Sequence, residues 1–292
     1  LLLKAFLELR LWESNYQFDA GVDMGFLNDR LSVTADYYRK TTKNLLLDIP
    51  IEQIYGFNSQ LINGGSLQNQ GVELSINSRN IENDNMTWNT TLNIAYNKQK
   101  ALNLNDRPYI ISQTANPDGA VPAADFTKLA VGRELSELYG YVYDGVIKTD
   151  EIYAAQPLSK PGDPKYKDLN GDGAITADDR KVLGNAYPHY VLGFNNSFTY
   201  KGLEIGIFFQ GAFGSDLYNM NRLLLETYTG TDALQRWTPQ NNNTDVPRNG
   251  YFTSKYGGYI NSRFVENASY VKLKNLSIGY NIPTSKIGFL KG

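Results

Sequence analysis

The sequence predicts an all-β fold: an antiparallel transmembrane β-barrel fragment, about seven strands of a larger barrel, with long extracellular loops. Three observations lead to this prediction. Apolar and polar residues alternate with a period of two over seven stretches of the chain. Short and long connections alternate between these stretches, and carboxylates occupy polar positions near their centres. This combination is typical of barrels that have one face in lipid and the other in water.

The alternation is clearest in the first and fourth stretches. From Tyr16 to Phe26 every even position is apolar or small, and the odd positions are Gln, Asp or Gly. In the fourth stretch, Trp88, Leu92 and Tyr96 share one face, and asparagines occupy the other. A period of two places successive side chains on opposite faces of a strand. The predicted strands lie near residues 16–26, 31–40, 70–79, 86–98, 189–200, 203–213 and 270–282.

Two strands depart from strict alternation. Asn196 falls on the apolar face of the fifth strand, where it is the one polar residue. In the seventh strand the phase changes around Lys274 and Asn275. An extra residue in one strand of a pair causes such a change, so we expect a β-bulge there.

The connections between the predicted strands are alternately short and long. Tight turns join the first strand to the second, the third to the fourth and the fifth to the sixth. Long segments, near residues 41–69, 99–187 and 215–266, make the other three connections. Outer-membrane barrels have short periplasmic turns and longer extracellular loops. The pattern therefore predicts that 99–187 is a long extracellular segment.

The polar face carries acidic residues that a dry core would not accommodate. Buried without partners they would be costly, whereas a water-filled lumen tolerates them. They are Asp19, Asp23, Asp36, Glu73 and Glu204. On the apolar face, Trp88 and Tyr96 are separated by about 26 Å at roughly 3.3 Å per residue. In a tilted strand this matches the spacing of two aromatic girdles, to which we attribute the 21 tyrosines of the chain.

Composition excludes several other classes of protein. The chain has no cysteine, so a disulfide framework, a thiol nucleophile and a zinc–thiolate site are excluded. Its net charge of -2 and the lack of a basic run give no indication of nucleic-acid binding. No catalytic signature is present, and His189, the only histidine, is expected to hydrogen-bond or lie at an interface. Because the sequence starts at Leu1 without a signal peptide, we expect an internal piece of a longer chain.

With this pattern established, the local motifs resemble those of SusC/RagA-like TonB-dependent transporters. They extend over about residues 11–282, and their order and spacing are more specific than any one of them. The matching blocks are Leu11-Trp12-Glu13, Gly21-Val22-Asp23, Asn28-Asp29-Arg30-Leu31, Asp36-Tyr37-Tyr38, Leu45-Leu46-Leu47, Asn63-Gly64-Gly65, Asn69-Gln70-Gly71-Val72-Glu73-Leu74, Gly140-Tyr141-Val142, Asp144-Gly145, 168–173, Gln210-Gly211, Tyr218-Asn219 and Ala268-Ser269-Tyr270-Val271-Lys272-Leu273.

The resemblance implies a bacterial outer-membrane barrel of about 22 strands with a plug domain inside it. This chain would supply roughly a third of that barrel, and the plug, the TonB-contacting segment and the closing strands would lie outside it. The implied partners are a SusD-like surface lipoprotein, TonB and outer-membrane lipid. The implied role is import of oligosaccharides or peptides, without catalysis.

One motif predicts a metal ion. Residues 168–179 follow the EF-hand loop pattern, with Asp168, Asn170 and Asp172 at positions 1, 3 and 5, the Ala174 carbonyl at position 7 and Asp179 at position 12. Gly173 provides the sharp turn, Ile175 would anchor the loop in a core and Thr176 would hold a water molecule. These hard oxygen ligands suit Ca²⁺, with a structural role, although Asp at position 12 is shorter than the usual Glu. The alternative is a turn with incidental carboxylates.

A second class of function stays open at this stage. A secreted, soluble, β-rich carbohydrate-binding protein with a dockerin-like calcium loop would also contain alternating strands and this motif. A dockerin normally needs two such loops, and the sequence contains one.

Overall fold

The computed structural model describes residues 12–50, 56, 59–113, 125–227 and 234–282. Within these ranges the chain forms fifteen strands and one α-helix. In chain order they are β1 (Ser14–Phe26), β2 (Leu31–Pro50), β3 (Ser59–Asn83), β4 (Met86–Leu104), β5 (Tyr109–Gln113), β6 (Asp125–Ala130), β7 (Glu137–Tyr141), β8 (Tyr143–Val146), β9 (Pro164–Tyr166), β10 (Arg180–Asn185), β11 (Tyr190–Tyr200), β12 (Leu203–Phe213), β13 (Asp216–Tyr218), α1 (Met220–Thr227), β14 (Val265–Asn267) and β15 (Tyr270–Tyr280). No helix among the described residues is long and apolar enough to cross a membrane.

The main sheet has seven strands in the order β1-β2-β3-β4-β11-β12-β15, and every neighbouring pair is antiparallel. The predicted fold class is therefore confirmed. Within the described residues, β1 pairs only with β2 and β15 pairs only with β12, so both edges of the sheet are open. Open edges leave a row of backbone donors and acceptors without partners. Both edges are therefore available for pairing with further strands.

The first long connection was predicted wrongly. Most of 41–69 is strand, because β2 and β3 stay paired up to Pro50 and Ser59 and reach lengths of 20 and 25 residues. Register shifts between Lys43 and Leu46 interrupt the alternation at this point. A shift of one residue exchanges the two faces of a strand, and this hid the continuation of the strands from a period-two pattern.

The bulge predicted in the last strand is confirmed. Phe208 of β12 pairs with Asn275, but the next residue, Phe209, pairs with Leu273. Lys274 is therefore the extra residue of β15. The bulge keeps the apolar side chains of β15 on one face on either side of the phase change.

The apolar face forms a continuous band across the sheet. The register aligns one residue of each strand in its central layer, which consists of Met24, Val33, Ile76, Leu92, Phe194, Phe209 and Leu273. Aromatic pairs lie at the two ends of the band. Tyr96 and Tyr190 have ring centroids 5.0 Å apart, and Trp88 stacks on Phe198 at 5.3 Å. Beyond the tyrosines the same face carries Arg39, Gln70 and Lys98, so the band ends there.

Asn196, the polar residue on this face, is enclosed by hydrogen bonds. It is 9% exposed, and its Oδ1 accepts from Trp88 Nε1 at 2.9 Å and from Thr90 Oγ1 at 2.8 Å. Asn80 Nδ2 in turn donates to Thr90 Oγ1 at 2.7 Å. A polar group on an apolar face is tolerated when its hydrogen bonds are satisfied. Asn196 also fixes the orientation of the Trp88 ring at the edge of the band.

The segments that follow β4 and β12 fold together into one body, called the lobe (the described parts of 105–188 and 214–269). Its largest sheet has the order β10-β7-β6-β5, and a cluster of buried side chains joins the two segments. The cluster consists of Tyr141, Ala155, Tyr166, Ile175 and Tyr256. The segment predicted as a long connection over 99–187 begins with the end of β4 and contains the short strands β5 to β10. Tyrosines form this core as well as the edges of the band, so the girdles alone do not account for their number.

Hydrogen bonds tie the two segments of the lobe to each other. Tyr141 N donates to Ile260 O at 2.9 Å, and Tyr166 Oη donates to Tyr256 O at 3.1 Å. The buried carboxylate of Asp163 pairs with Arg248 at 2.8 Å. These contacts join residues that lie about a hundred positions apart in the sequence, and they make the lobe one structural unit.

We predict that Asn196→Ala lowers the free energy of unfolding of the full-length protein by about 1–3 kcal/mol, because two donors lose their common acceptor. The matched control is Asn195→Ala, at an exposed position on the opposite face, which should change the free energy by less than about 0.5 kcal/mol. Denaturant titration of the protein in lipid vesicles measures both. Equal losses for the two variants would contradict the role of Asn196.

Candidate functional site

The polar face of the main sheet has the properties of a surface that is exposed to water. Asp36 lies directly opposite Glu73 in the β2–β3 register. Like charges in opposed positions destabilise a sheet unless water screens them. Other carboxylates of this face accept hydrogen bonds from neutral side chains, as Asp23 does from Thr34 Oγ1 at 2.6 Å and Glu204 from Asn281 Nδ2 at 2.7 Å. The register places all five acidic residues of the sequence analysis on this one face.

A recess lies in this face near its centre. Its lining includes Asp36, Glu73, Asn93, Phe208 and Gln210. Gly193 also lines the recess, and the Phe208 ring lies beside it: a Cβ added to Gly193 would be 3.5 Å from that ring. A ring beside carboxylate and amide groups offers both an apolar surface and hydrogen-bond partners to a passing solute. The sequence analysis identified the acidic positions but had no means of locating Phe208 over Gly193.

A second polar cleft lies in the lobe, where its two segments meet. Its lining includes Asp144, Lys148, Glu151 and Lys165 from the first segment and Asn242 from the second. Lys165 Nζ pairs with Glu151 Oε1 at 2.5 Å. The hydrogen bond from Lys165 holds the pKa of Glu151 below its usual value, so this carboxylate stays charged at neutral pH. The sequence analysis missed the cleft because its walls come from distant parts of the chain.

The acidic loop, residues 168–179, folds around its own carboxylates. Asp168 accepts backbone N–H bonds from Gly171 at 2.7 Å and Gly173 at 2.8 Å. Gly173 has a φ of +82°, a conformation that glycine adopts readily, as the predicted sharp turn requires. Ile175 is 6% exposed within the lobe core, so its predicted anchoring role is confirmed.

Asp179 holds the two ends of the loop together. It is fully buried, with Oδ1 accepting from Leu169 N at 2.8 Å and Oδ2 from Thr176 N at 2.7 Å. With Thr176 it also forms the capping box of a short 3₁₀ helix at Ala177–Asp179. Carboxylates that accept backbone N–H bonds stabilise a turn without any ion.

The other predicted metal ligands lie at the surface. Asn170 and Asp172 are exposed, and Asn170 Nδ2 donates to Asp172 Oδ2 at 2.8 Å. Across the described part of the chain, no three acidic or histidine side chains form a group that could hold a metal ion. The donor chemistry of the loop suits Ca²⁺. Its carboxylates would have to move closer together to share one ion.

Seven antiparallel strands, with an apolar band on one face, a wet acidic face on the other and two open edges, define a segment of a β-barrel wall. The chain belongs to the family described as TonB dependent receptor-like, beta-barrel, which residues 8–289 match. Barrels of this family are outer-membrane proteins.

Relatives and solved structures agree with this assignment. TonB-dependent receptor P3 of Formosa agariphila is 37% identical over 286 residues, which cover 95% of this chain and 28% of the relative. TonB-dependent receptor SusC of Bacteroides thetaiotaomicron is 27% identical over 95% of this chain and 27% of its own. A structure titled "Structure of the RagAB peptide transporter" superposes with a TM-score of 0.73 at 28% identity, covering 94% of this chain and 29% of that one. The predicted SusC/RagA-like resemblance is confirmed.

The chain spans less than a third of the length of these relatives. The relatives are receptors and transporters and not enzymes, in agreement with the expected non-catalytic role. Membership in the family sets aside the soluble carbohydrate-binding protein that the sequence analysis left open.

Proposed function

We propose that this chain is part of a TonB-dependent outer-membrane transporter that imports oligosaccharides or peptides. The observation that carries the proposal is the division of one continuous sheet into an apolar face and a water-accessible acidic face. In a barrel of this family the apolar band meets lipid and the acidic face lines the passage. TonB would act through a segment outside this chain.

The apolar band has the dimensions that the proposal requires. The positions from Trp88 to Tyr96 span about 26 Å along β4 at roughly 3.3 Å per residue. A strand tilted by about 40° would cross some 20 Å of bilayer over that length, close to the height of the lipid-facing band of such barrels. The charged and amide side chains beyond Tyr96 would then lie at the level of the lipid headgroups.

The lobe lies on the extracellular side in this proposal, and the short turns face the periplasm. Support comes from the turns themselves, since β3 and β4 are joined through Asp84 and Asn85 alone and β11 and β12 through Lys201 and Gly202. Short turns are periplasmic in barrels of this class.

Cysteine labelling tests this orientation, because the chain has no cysteine of its own. Ile152, in the lobe, is 97% exposed, so Ile152→Cys should react with a membrane-impermeant maleimide on intact cells that lack the surface lipoprotein proposed below. Asp84→Cys, in a turn, should react only after the outer membrane is broken. The opposite result for the pair would invert the proposed orientation.

A SusD-like surface lipoprotein is the proposed partner of the lobe. Several apolar side chains of the lobe are exposed, and a protein that rests on the lobe would cover them. They are Ile152, Leu158 and Leu234, which are 97%, 63% and 85% exposed. A photo-cross-linker at Ile152 should capture such a lipoprotein, and a cross-linker at Asp84 should not.

Calcium binding by the acidic loop is also proposed, with Asp168, Asn170, Asp172, the Ala174 carbonyl and Asp179 as ligands. Asp168, Asp172 and Asp179 would repel one another as they approach, and a divalent ion would offset that repulsion. The ion would stiffen the loop on the surface of the lobe. It would not be needed for the barrel, whose strands pair independently of the loop.

We predict that Asp172→Ala abolishes calcium binding to the full-length protein, as measured by isothermal titration calorimetry. The matched control Asp178→Ala removes an exposed neighbouring carboxylate that is not a proposed ligand. A chelator should increase proteolysis of the wild-type protein within residues 165–183 and leave the barrel intact. If neither the control nor the wild-type protein binds calcium at millimolar concentration, the loop is a turn without an ion.

The transport proposal is tested in a strain that lacks the complete gene. Uptake of labelled oligosaccharides or oligopeptides should fall to background and be restored by the full-length gene. The restored uptake should disappear when TonB is removed or the proton gradient is collapsed. Uptake that continues without TonB would contradict the proposal.

A further inference from the structure

One carboxylate connects the lobe to the wall of the main sheet. Glu134 lies between β6 and β7 and contacts three side chains from other elements. Lys98 Nζ of β4 is 3.1 Å from Glu134 Oε1. Asn185 Nδ2, at the end of β10, donates to Oε2 at 2.5 Å, and His189 Nε2, just before β11, lies 2.7 Å from the same oxygen.

Asn185 and His189 lie at the two ends of the segment through which the chain leaves the lobe. Asn185 is the last residue of β10, in the four-stranded sheet of the lobe. His189 immediately precedes β11, which belongs to the main sheet. Residues 186–188 between them are the linker through which the chain leaves the lobe. Glu134 therefore binds both ends of this linker and holds them against β4 through Lys98.

The electrostatic setting keeps Glu134 charged. Its side chain is 19% exposed. Burial raises the pKa of Glu134, but hydrogen bonds from His189 and Lys98 outweigh that effect, and the resulting pKa is below the usual value. Arg133 precedes Glu134 in the chain, and Lys100 of β4 faces Glu134 across an isolated β-bridge. The ring of Tyr96 lies 6.5 Å from that of His189.

Backbone hydrogen bonds at the joint are fewer than in the paired strands around it, and one of them joins the linker to β4 directly, from Asn97 N to His189 O at 2.9 Å. Ala101 N donates to Arg133 O at 3.0 Å, Gly132 N donates to Ala101 O at 2.8 Å, and Ala186 N donates to Ser136 O at 3.2 Å. They lie on either side of Glu134. A joint with few backbone bonds opens locally at a lower free energy than the strands around it.

We propose that Glu134 is a latch that fixes the lobe on the barrel wall. While its carboxylate is charged, the linker is held against β4 and the lobe keeps one position over the open end of the sheet. Loss of the charge weakens the side-chain contacts and leaves mainly the backbone bonds at the joint, so the lobe moves more readily without loosening its own core or the strands of the wall. Protonation of Glu134 removes this charge.

The sign of the pH dependence follows from the lowered pKa. A carboxylate with a lowered pKa in the folded protein contributes stability above its unfolded pKa and loses it as the pH falls through the folded value. The latch is therefore closed at neutral pH and opens at a pH below the usual range of a glutamate.

Glu134→Gln tests the latch, because it keeps the shape of the side chain and removes its charge. The matched control is Glu137→Gln, three residues away, whose carboxylate pairs with Arg133 at 2.9 Å inside the lobe and makes no contact with Lys98 or His189. Hydrogen exchange of the full-length protein in lipid nanodiscs reports on the joint through the amides of Ala101 and Ala186. Exchange at Tyr141 reports on the lobe core, and exchange at Leu92 reports on the wall.

We expect Glu134→Gln to increase exchange at Ala101 and Ala186 about fivefold or more, the factor that roughly 1 kcal/mol produces, with no change at Tyr141 or Leu92. Glu137→Gln should leave Ala101 and Ala186 as in the wild-type protein. When wild-type and variant are compared at the same pH, acid should bring the wild-type protection factors at these two amides to those of Glu134→Gln. Equal exchange at the joint in the two variants, or a difference in protection between wild-type and Glu134→Gln that persists in acid, would overturn the proposal.

A second variant keeps the test decisive if Glu134→Gln fails to fold. Lys98→Met removes the contact with the wall and leaves Asn185 and His189 on the carboxylate. It should increase exchange at Ala101 more than at Ala186. Unchanged exchange at Ala101 in Lys98→Met would also contradict the latch.

Discussion

A chain that crosses a bilayer must satisfy its backbone hydrogen bonds within the protein, because lipid offers none. The main sheet meets this constraint by continuous antiparallel pairing from β1 to β15. Pairing fixes the register, and the register fixes the face on which each side chain lies. The apolar band, the acidic face, the bulge at Lys274 and the hydrogen bonds around Asn196 all follow from that pairing. Asn196 and Thr90, polar residues on the apolar face, are accommodated by hydrogen bonds inside the protein.

The lobe is stabilised differently from the main sheet, by a core of its own. Its strands are short, and three of the five residues of its core cluster are tyrosines. Burial raises the pKa of the Tyr166 hydroxyl well above its usual value, and that hydroxyl donates to the Tyr256 carbonyl. Two connections that are far apart in the sequence thereby form one body.

The sequence predicted the main sheet well, because alternation over ten or more residues reports directly on a two-faced strand. It located the bulge of β15, the turn at Gly173 and the buried position of Ile175. It missed the ends of β2 and β3, where register shifts near Lys43 break the alternation. It also missed the lobe, whose short strands and contacts between residues such as Tyr141 and Ile260 leave no periodic signal. The ligand positions of the acidic loop were predicted from a sequence motif. A motif specifies the types of donor atom, but it does not show whether the side chains come close enough together to share one ion.

The claim on which the rest depends is that the even positions of β4 face lipid and the odd positions face water. Leu92 and Asn93 are neighbours in the same strand and lie on opposite faces at the same depth, so a charge added at each compares the two faces directly. Leu92→Arg should destabilise the full-length protein in vesicles by about 2–4 kcal/mol, whereas Asn93→Arg should cost less than about 1 kcal/mol. Equal losses for both variants, or a larger loss for Asn93→Arg, would contradict the account.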